Sequence, residues 1–226
     1  MNKADNGYGR LYGRSTGHKL RAGQAALLAE ALPRLAVPDG PLDAKLLFGD
    51  DRPLQLEIGF GSGEHLAAQA ALHPDSGLIG CEPFLNGVVG LLAHLRDDRL
   101  SNVRIHMGDA LDVLQRLPDA SLDRAYLLHP DPWPKVRHAK RRFMNAGQIA
   151  LVAAKLKSGG ELRFGTDHPV YVAHAMAVMQ QRPEFTWQAS CADDFLERPT
   201  DWPETRYERK ARRLGHEVWY FRYIRA

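Results

Sequence analysis

The chain shows two alternating patterns of hydrophobic and polar positions between residues 54 and 181. Short segments rich in aliphatic and aromatic residues are typical of strands. The longer stretches that follow them carry apolar positions three and four apart, which is typical of helices. The predicted strands are 54–58, 77–81, 103–107, 123–128 and 161–164, and the predicted helices are 64–72, 85–95, 110–117, 146–156 and 169–181. This alternation predicts βαβ units and a mostly parallel sheet.

The segment before this alternation predicts one helix and one loop. Residues 22–35 carry apolar positions at helical spacing, and the helix is expected to stop near Pro33 because proline disrupts helical hydrogen bonding. The apolar stripe consists of Ala25, Leu28, Ala29 and Leu32. Residues 36–53 are rich in proline and glycine and predict a loop. Residues 1–20, with many Gly, Arg and Tyr and few aliphatic residues, predict a flexible basic arm.

The end of the chain changes character. Residues 185–189 and 217–224 are aromatic and β-branched strand candidates, and no helix is predicted between them. Two successive strands without a crossover helix imply one antiparallel strand. The predicted fold class is therefore α/β: a doubly wound, Rossmann-like, seven-stranded and mostly parallel sheet with one antiparallel strand and helices on both faces. Residues 21–226 are expected to form this single domain.

Composition narrows the class of protein. Hydrophobic residues make up 44% of the 226 and charged residues 25%, which excludes a disordered or collagenous chain. The sequence has no apolar run of membrane-spanning length and no signal sequence, which predicts a cytoplasmic protein without membrane contact. Cys81 and Cys191 are too few for a disulfide scaffold or a zinc site. Both are predicted to be buried free thiols, and no metal site is expected.

A glycine-rich loop follows the first of the alternating strands. Gly59, Gly61 and Gly63 have the spacing G-x-G-x-G, and Glu57 stands two residues before the first of them. Glycines allow a tight turn and a close approach of the backbone to a ligand, and a helix N-terminus attracts a negatively charged group. A dinucleotide site prefers G-x-G-x-x-G, which this loop does not complete. The alternative interpretation is a tight turn that binds no ligand.

Acidic residues stand at the ends of three successive strands. Glu57 lies in the first strand, Glu82 follows the second and Asp109 follows the third. The three carboxylates are expected along the edge where open α/β sheets bind ligands, and Glu82 is placed to hold a ribose diol. Three acids suit a ligand with ammonium and sulfonium groups better than one with phosphates, which favours S-adenosyl-L-methionine over a nicotinamide dinucleotide. Alternatively, Asp109 caps the helix that follows it.

Two further acids are predicted at the same edge. Residues 129–135 (HPDPWPK) follow the fourth strand, and their three prolines stiffen the chain around Asp131. This segment predicts a rigid pocket wall, or else a structural turn with Trp133 in the core. Residues 165–168 (GTDH) follow the fifth strand and place Asp167 there, as a substrate contact, a helix cap or both.

The basic residues are unevenly distributed. The chain carries 30 Lys and Arg against 27 Asp and Glu, and a net charge of +3 is weak evidence for a polyanionic partner. The cations form three stretches: Arg10, Arg14, Lys19 and Arg21; Lys135, Arg137, Lys140, Arg141 and Arg142; and Arg206, Arg209, Lys210, Arg212 and Arg213. Any one stretch is more often a solvated surface than a binding site, but three together favour nucleic acid.

These motifs resemble the bacterial tRNA (guanine-N7)-methyltransferase family, which transfers a methyl group from S-adenosyl-L-methionine to the variable-loop guanine of tRNA. The resemblance extends from residues 9–14 to Tyr223. The most specific matching segments are 130–135 (PDPWPK), 137–142 (RHAKRR), 166–167 (TD) and 205–208 (TRYE).

The resemblance implies a role for each matching residue. Asp131 matches the catalytic position. The implied cofactor-binding residues are Glu57, Glu82, Asp109 and Asp131, to which the glycine loop adds Gly59, Gly61 and Gly63. The implied substrate-binding residues are Lys135, Asp167, Thr205, Arg206, Tyr207 and Glu208. The implied RNA-binding residues are Arg137, His138, Lys140, Arg141 and Arg142. The expected partner is tRNA, and no metal is implied.

Two other functions stay open at this stage. A nicotinamide-dependent oxidoreductase would share the fold but prefers a different glycine spacing. A non-catalytic RNA-binding module would explain the basic stretches but would leave the acids at the strand ends without a use. The sequence is equally compatible with a monomer and a homodimer.

Overall fold

A seven-stranded sheet forms the centre of the structure, a computed structural model that describes residues 17–226. Its strands are β1 (Leu54–Ile58), β2 (Gly77–Cys81), β3 (Val103–His106), β4 (Leu122–Leu128), β5 (Leu156–Thr166), β6 (Phe185–Trp187) and β7 (Trp219–Arg225). They lie in the order β3-β2-β1-β4-β5-β7-β6, and β7 runs antiparallel to both β5 and β6. The predicted fold class is confirmed.

Helices cover both faces of this sheet. They are α1 (Ala22–Leu35), α2 (Ala44–Phe48), α3 (Glu64–Leu72), α4 (Leu85–Asp97), α5 (Ala110–Arg116), α6 (Ala146–Lys155), α7 (Pro169–Met179), α8 (Asp193–Leu196) and α9 (Arg206–Arg213), with a 3₁₀ helix at Val136–Arg141. Side chains of α1, α3 and α4 form one core, and side chains of α2, α5, α6 and α7 form another. Successive strand residues point to opposite faces, so Leu78 of β2 enters the first core and Ile79 the second.

The N-terminal elements differ from the prediction in two respects. Helix α1 continues through Pro33 to Leu35, and its inward face is formed by Leu27, Leu28, Ala31, Leu32 and Leu35. The predicted stripe is wrong at Ala25 and Ala29, which are exposed, because the leucines have more apolar surface to bury. The predicted loop 36–53 also contains α2, a single turn capped by Asp43.

The C-terminal part contains a helix that the sequence pattern did not predict. Helix α9 has almost no apolar residues, so it lacks the periodicity on which the prediction depended. Strand β5 is longer than the predicted strand 161–164, since it begins at Leu156 and includes an irregular part around residues 158–160. Cys81 is buried as predicted, but the prediction for Cys191 is wrong, since that thiol is exposed.

The predicted basic arm lies largely outside the described residues. Only residues 17–20 of it are described, and there the carbonyl oxygen of His18 accepts a hydrogen bond from Asn86 Nδ2 at 2.9 Å. Asn86 belongs to the first turn of α4. Residues 17–20 therefore lie against the start of α4 before the chain enters α1.

Candidate active site

The carboxyl ends of β1 to β4 border a cleft of about 870 Å³. Residues at or after each of these strands line it, together with Thr205 and Tyr207 from the start of α9. All four acids with a predicted cofactor role are among the lining residues: Glu57, Glu82, Asp109 and Asp131. The fold thus brings together acids from four separate strand ends.

The glycine loop between β1 and α3 follows a path that other residues would strain. The φ angles of Gly59, Gly61 and Gly63 are 76°, 57° and 80°, in the left-handed region. A Cβ atom on Gly63 would also lie 2.5 Å from the Cβ atom of Leu91 in α4. Glycine at this position therefore permits both the turn and the close packing of α4 against it.

The carboxylate of Glu82 is held in place by two backbone groups. The N–H of Gly61 donates to Oε2 at 2.8 Å, and the N–H of Phe84 donates to Oε1 at 2.9 Å. Burial raises the pKa of Glu82; these hydrogen bonds oppose the shift, and the charges of Asp131 and Glu57 add to it. Glu82 therefore presents a fixed acceptor in the cleft, which suits the hydroxyl groups of a ribose.

Glu57 is paired with a histidine that the sequence analysis did not identify. Nδ1 of His65 lies 2.7 Å from Oε2 of Glu57, and each side chain is only 2% exposed. The His65 ring also packs edge-on against Tyr126, with ring centroids 4.8 Å apart. A histidine in a first helical turn has no motif spacing that would have marked it. The structure indicates that His65 orients the carboxylate of Glu57.

Asp109 combines a capping role with a place in the cleft. Its Oδ1 accepts a hydrogen bond from the N–H of Leu111 at 3.1 Å, so it is the N-cap of α5. Burial raises the pKa of Asp109, and the bond from Leu111 opposes the shift. The capping alternative is confirmed, and the cofactor role stays a prediction.

Residues 129–135, here called the proline loop, form a wall of the cleft in an unusual backbone conformation. His129 and Trp133 have φ angles of 47° and 41°, which residues with a side chain rarely adopt. Asp131 is exposed and Trp133 half-buried, and both line the cleft. This favours the pocket-wall interpretation over a turn with Trp133 in the core.

The basic run after the proline loop divides into outward and inward residues. Lys135, Arg137 and Lys140 are exposed, and these three are called the basic rim below. The guanidinium of Arg141 lies 5.0 Å from the ring centroid of Trp133, and the His138 ring contacts the same indole edge-on at 6.0 Å.

Arg142, the last residue of this run, does not fit the predicted contact with RNA. It is only 5% exposed, and its guanidinium donates to carbonyl groups of the proline loop. The prediction is corrected because a side chain turned inward and engaged in this way does not reach a phosphate on the surface.

Asp167 lies beside the cleft and contacts two histidines. Nδ1 of His129 is 3.9 Å from its Oδ1, and Nδ1 of His216 is 3.5 Å from its Oδ2. His129 in the first place, assisted by His216 and opposed by burial, lowers the pKa of Asp167 to about 2. The His129 ring is nearly parallel to that of Tyr207, with centroids 6.4 Å apart. His129, a cleft residue without a predicted role, thus links Asp167 to Tyr207.

The segment TRYE at 205–208 has two different roles. Thr205 and Glu208 form a reciprocal cap at the start of α9, with Oε2 of Glu208 accepting from the N–H of Thr205 at 2.7 Å. Oε1 of Glu208 accepts from the Tyr220 hydroxyl at 2.7 Å, and Glu208 is fully buried. The predicted substrate contact of Glu208 is corrected, because both oxygens are used inside the protein. Arg206 and Tyr207 are exposed, and their substrate-binding role stays a prediction.

Within residues 17–226, no cluster of three or more His, Cys, Asp or Glu side chains has an arrangement suited to a metal ion. No helix in this range has both the length and the apolar character needed to cross a membrane.

Comparison with known proteins decides the family. A family model described as "Putative methyltransferase" matches residues 51–221. The tRNA (guanine-N(7)-)-methyltransferase of Zymomonas mobilis is 64% identical over 217 residues, which cover 96% of this chain and 94% of that protein. This chain belongs to the tRNA (guanine-N(7)-)-methyltransferase family. The protein of the same name from Sphingopyxis alaskensis is 61% identical, with the same two coverages.

Solved structures share the fold of this family member at low sequence identity. A precorrin-6y C5,15-methyltransferase from Geobacter metallireducens matches with a TM-score of 0.54 at 16% identity, covering 96% of this chain and 100% of that one. A methyltransferase from Streptococcus mutans in complex with SAH gives a TM-score of 0.52 at 10% identity, covering 92% and 100%. At these identities the matches show the fold alone.

The cofactor of the family is S-adenosyl-L-methionine, and the carboxylates of the cleft fit this molecule. The oriented carboxylate of Glu82 suits its ribose hydroxyls, and the carboxylate of Glu57 suits its ammonium group. The glycine loop lets the backbone approach closely. Because this cofactor carries no phosphate, several acids in one cleft attract it rather than repel it.

Replacing His65 by Leu is expected to weaken S-adenosyl-L-methionine binding about 5- to 10-fold, because Glu57 loses the partner that orients it. Replacing His65 by Asn, which keeps a donor near the position of Nδ1, is expected to retain more of the affinity. Calorimetric titration measures both variants. Equal losses in the two would show that His65 supports packing rather than the carboxylate.

Proposed function

We propose that this protein transfers the methyl group of S-adenosyl-L-methionine to N7 of the variable-loop guanine of tRNA. The observation that carries the proposal is the place of Asp131. This acid lies in the cleft that also contains Glu57 and Glu82, and its loop runs directly into the basic rim. A cofactor site and a surface suited to phosphates therefore meet at one carboxylate.

For this methyl transfer the protein has mainly to position the two substrates and to stabilise the charge that develops. When bound, S-adenosyl-L-methionine supplies a methyl group made electrophilic by its sulfonium. N7 of guanine has a free lone pair, so no residue has to act as a general base. The residues around the cleft must hold N7 about 3 Å from the methyl carbon and in line with it, an effect worth roughly 7–11 kcal/mol in favourable systems.

Asp131 has the electrostatic role in this proposal. Positive charge develops on the purine as N7 is methylated, and a carboxylate beside it stabilises that charge. The same carboxylate accepts hydrogen bonds from N1–H and the amino group of guanine. Asp167 lies at the border of the cleft, beside His129 and His216, as a second candidate acceptor.

The tRNA is held mainly through its phosphates. The basic rim and the exposed cations Arg206, Arg209, Lys210 and Arg213 of α9 provide charge, which gives affinity and register but little sequence information. The variable-loop guanine has to be unstacked before it enters the cleft. The exposed ring of Tyr207 offers a surface on which such a base stacks.

Lys140 gives a specific prediction for this RNA contact. Replacing Lys140 by Ala is expected to reduce the slope of log affinity for tRNA against log salt by about 0.7–0.9, because one phosphate contact is lost. Lys45 of α2, which is also exposed, serves as the matched control and is expected to leave the slope unchanged when replaced by Ala. Parallel lines for wild type and the Lys140 variant would show that tRNA docks elsewhere.

The proposed activity is tested by incubating the protein with unmodified tRNA and S-adenosyl-L-methionine labelled in the methyl group. Label is expected in the tRNA. The two alternatives give different results: an oxidoreductase would retain NAD, and an RNA-binding module would bind tRNA but release no heat on titration with S-adenosyl-L-methionine. Either result without methyl transfer would overturn the proposal.

Localisation and assembly follow from the same proposal. Since the proposed substrate is tRNA, we place the protein in the cytoplasm, with no membrane or metal in its mechanism. The cleft and the basic rim are built from one chain, so a monomer suffices for the chemistry, and a homodimer is equally compatible with it.

A further inference from the structure

The proline loop needs support from outside itself. Pro130, Pro132 and Pro134 have no N–H to donate, so the loop has few groups for internal hydrogen bonds. The left-handed conformations of His129 and Trp133 are unfavourable for residues with a side chain and persist only where the surroundings enforce them. Something in the fold must therefore hold the loop in the shape that places Asp131 in the cleft.

Arg142 provides this support. Its Nε donates to the carbonyl oxygen of Pro132 at 3.0 Å, and its Nη2 donates to the carbonyl oxygen of Trp133 at 2.9 Å. These are two successive carbonyl groups, and the first belongs to the residue directly after Asp131. The planar guanidinium, with several donors in fixed directions, is suited to hold both at once.

The surroundings of Arg142 fix it in turn. Its guanidinium carbon lies 6.0 Å from the ring centroid of Tyr171, and its own carbonyl oxygen accepts a hydrogen bond from Asn145 Nδ2. Both hydrogen bonds described for its guanidinium go to loop carbonyl oxygens and not to a carboxylate. The loop carbonyls are therefore the main reason for a buried cation at this position, since an unpaired buried charge is otherwise costly.

We propose that Arg142 is a positioning residue for the reaction: it fixes the backbone of Pro132 and Trp133 and thereby the place of the Asp131 carboxylate. The inference rests on the proposed function, in which Asp131 acts on the guanine. The residues of the basic run then have two different roles: Lys140 binds RNA, and Arg142 binds the proline loop inside the protein.

Conservative substitution tests this division. Arg142→Lys keeps the charge but cannot hold two carbonyl groups in the same geometry. Its kcat for tRNA methylation is expected to fall about 10- to 100-fold, the effect of a small misplacement in the site, while tRNA affinity and its salt slope stay at wild-type values. Arg34→Lys, at an exposed position of α1, is the matched control. A lowered salt slope with unchanged kcat would make Arg142 an RNA contact and overturn the inference.

Two readouts separate positioning from general stability. For Arg142→Ala, millimolar methylguanidinium is expected to restore part of kcat, whereas methylammonium at the same concentration does not, with folding checked by thermal unfolding. Adding Arg142→Ala to Asp131→Asn is expected to cause little further loss of rate, because Arg142 acts through Asp131. Absence of rescue together with fully additive losses would overturn the inference. A wild-type protein unable to methylate tRNA would instead contradict the proposed function itself.

Discussion

Replacing Asp131 by Asn is expected to lower the single-turnover rate of methyl transfer about 100-fold, the size of effect seen when one preorganised electrostatic contact to a developing charge is lost. The substitution preserves shape and removes the negative charge beside the purine. Binding of tRNA is expected to be unchanged or slightly tighter, since a carboxylate near the basic rim repels phosphates.

The control for Asp131→Asn is Asp98→Asn, at an exposed acid just after α4. This variant is expected to keep the wild-type rate. Rapid mixing of enzyme in excess over tRNA, with S-adenosyl-L-methionine saturating, separates the chemical step from binding. A normal single-turnover rate together with a collapse of tRNA affinity would make Asp131 a docking residue.

Replacing Glu82 by Ala is expected to weaken S-adenosyl-L-methionine binding about 10- to 100-fold, through loss of charge-assisted hydrogen bonds to the ribose. The affinity for tRNA in the absence of the cofactor is expected to stay the same. Calorimetric titration measures the first quantity and filter binding the second.

The Glu82 variant also leaves the N–H groups of Gly61 and Phe84 without their acceptor, which disturbs the glycine loop. A cofactor analogue without ribose hydroxyls distinguishes this effect from a direct contact. The analogue is expected to bind wild type more weakly than the cofactor does, and to bind the variant almost as well as the cofactor. An equal penalty for the analogue in both proteins would show that Glu82 does not touch the ribose.

Acidic pH provides a further test of Glu82. Burial holds the pKa of this carboxyl above its usual range, so it becomes protonated at a higher pH than an ordinary glutamate. The cofactor is expected to bind the ionised form, and its affinity should therefore fall as the pH is lowered through this raised pKa. An affinity that is independent of pH down to the ordinary range of glutamate would contradict the assigned role.

The parallel part of the sheet could be predicted from the sequence because short segments rich in aliphatic residues alternate regularly with helical stretches. The predicted and observed bounds of β1 and β2 are the same, 54–58 and 77–81. Helix α9 could not be found by periodicity, since it buries only Glu208 and Ala211. The one available signal was the capping pattern T-x-x-E at 205–208, which this helix uses at its start.

The sequence indicated which acids lie at the cleft, whose binding roles stay predictions, but it did not indicate the contacts made inside the protein. Spacing at strand ends identifies Glu82 and Asp109, because topology brings those ends together. It does not reveal that His65 pairs with Glu57, or that Arg142 turns inward while Lys140, two residues earlier in the basic run, stays exposed. Which side chains turn inward depends on tertiary packing, and a run of like charges in the sequence does not indicate it.

The position of the transferred methyl group tests the central claim most directly. Unmodified tRNA is methylated by the protein, reduced with borohydride and treated with aniline, which cleaves RNA at N7-methylguanosine, and the fragments are sequenced. We expect a single cleavage at the variable-loop guanine, absent when protein or S-adenosyl-L-methionine is omitted. Methyl label in the tRNA without this cleavage would place the modification on another atom and contradict the account.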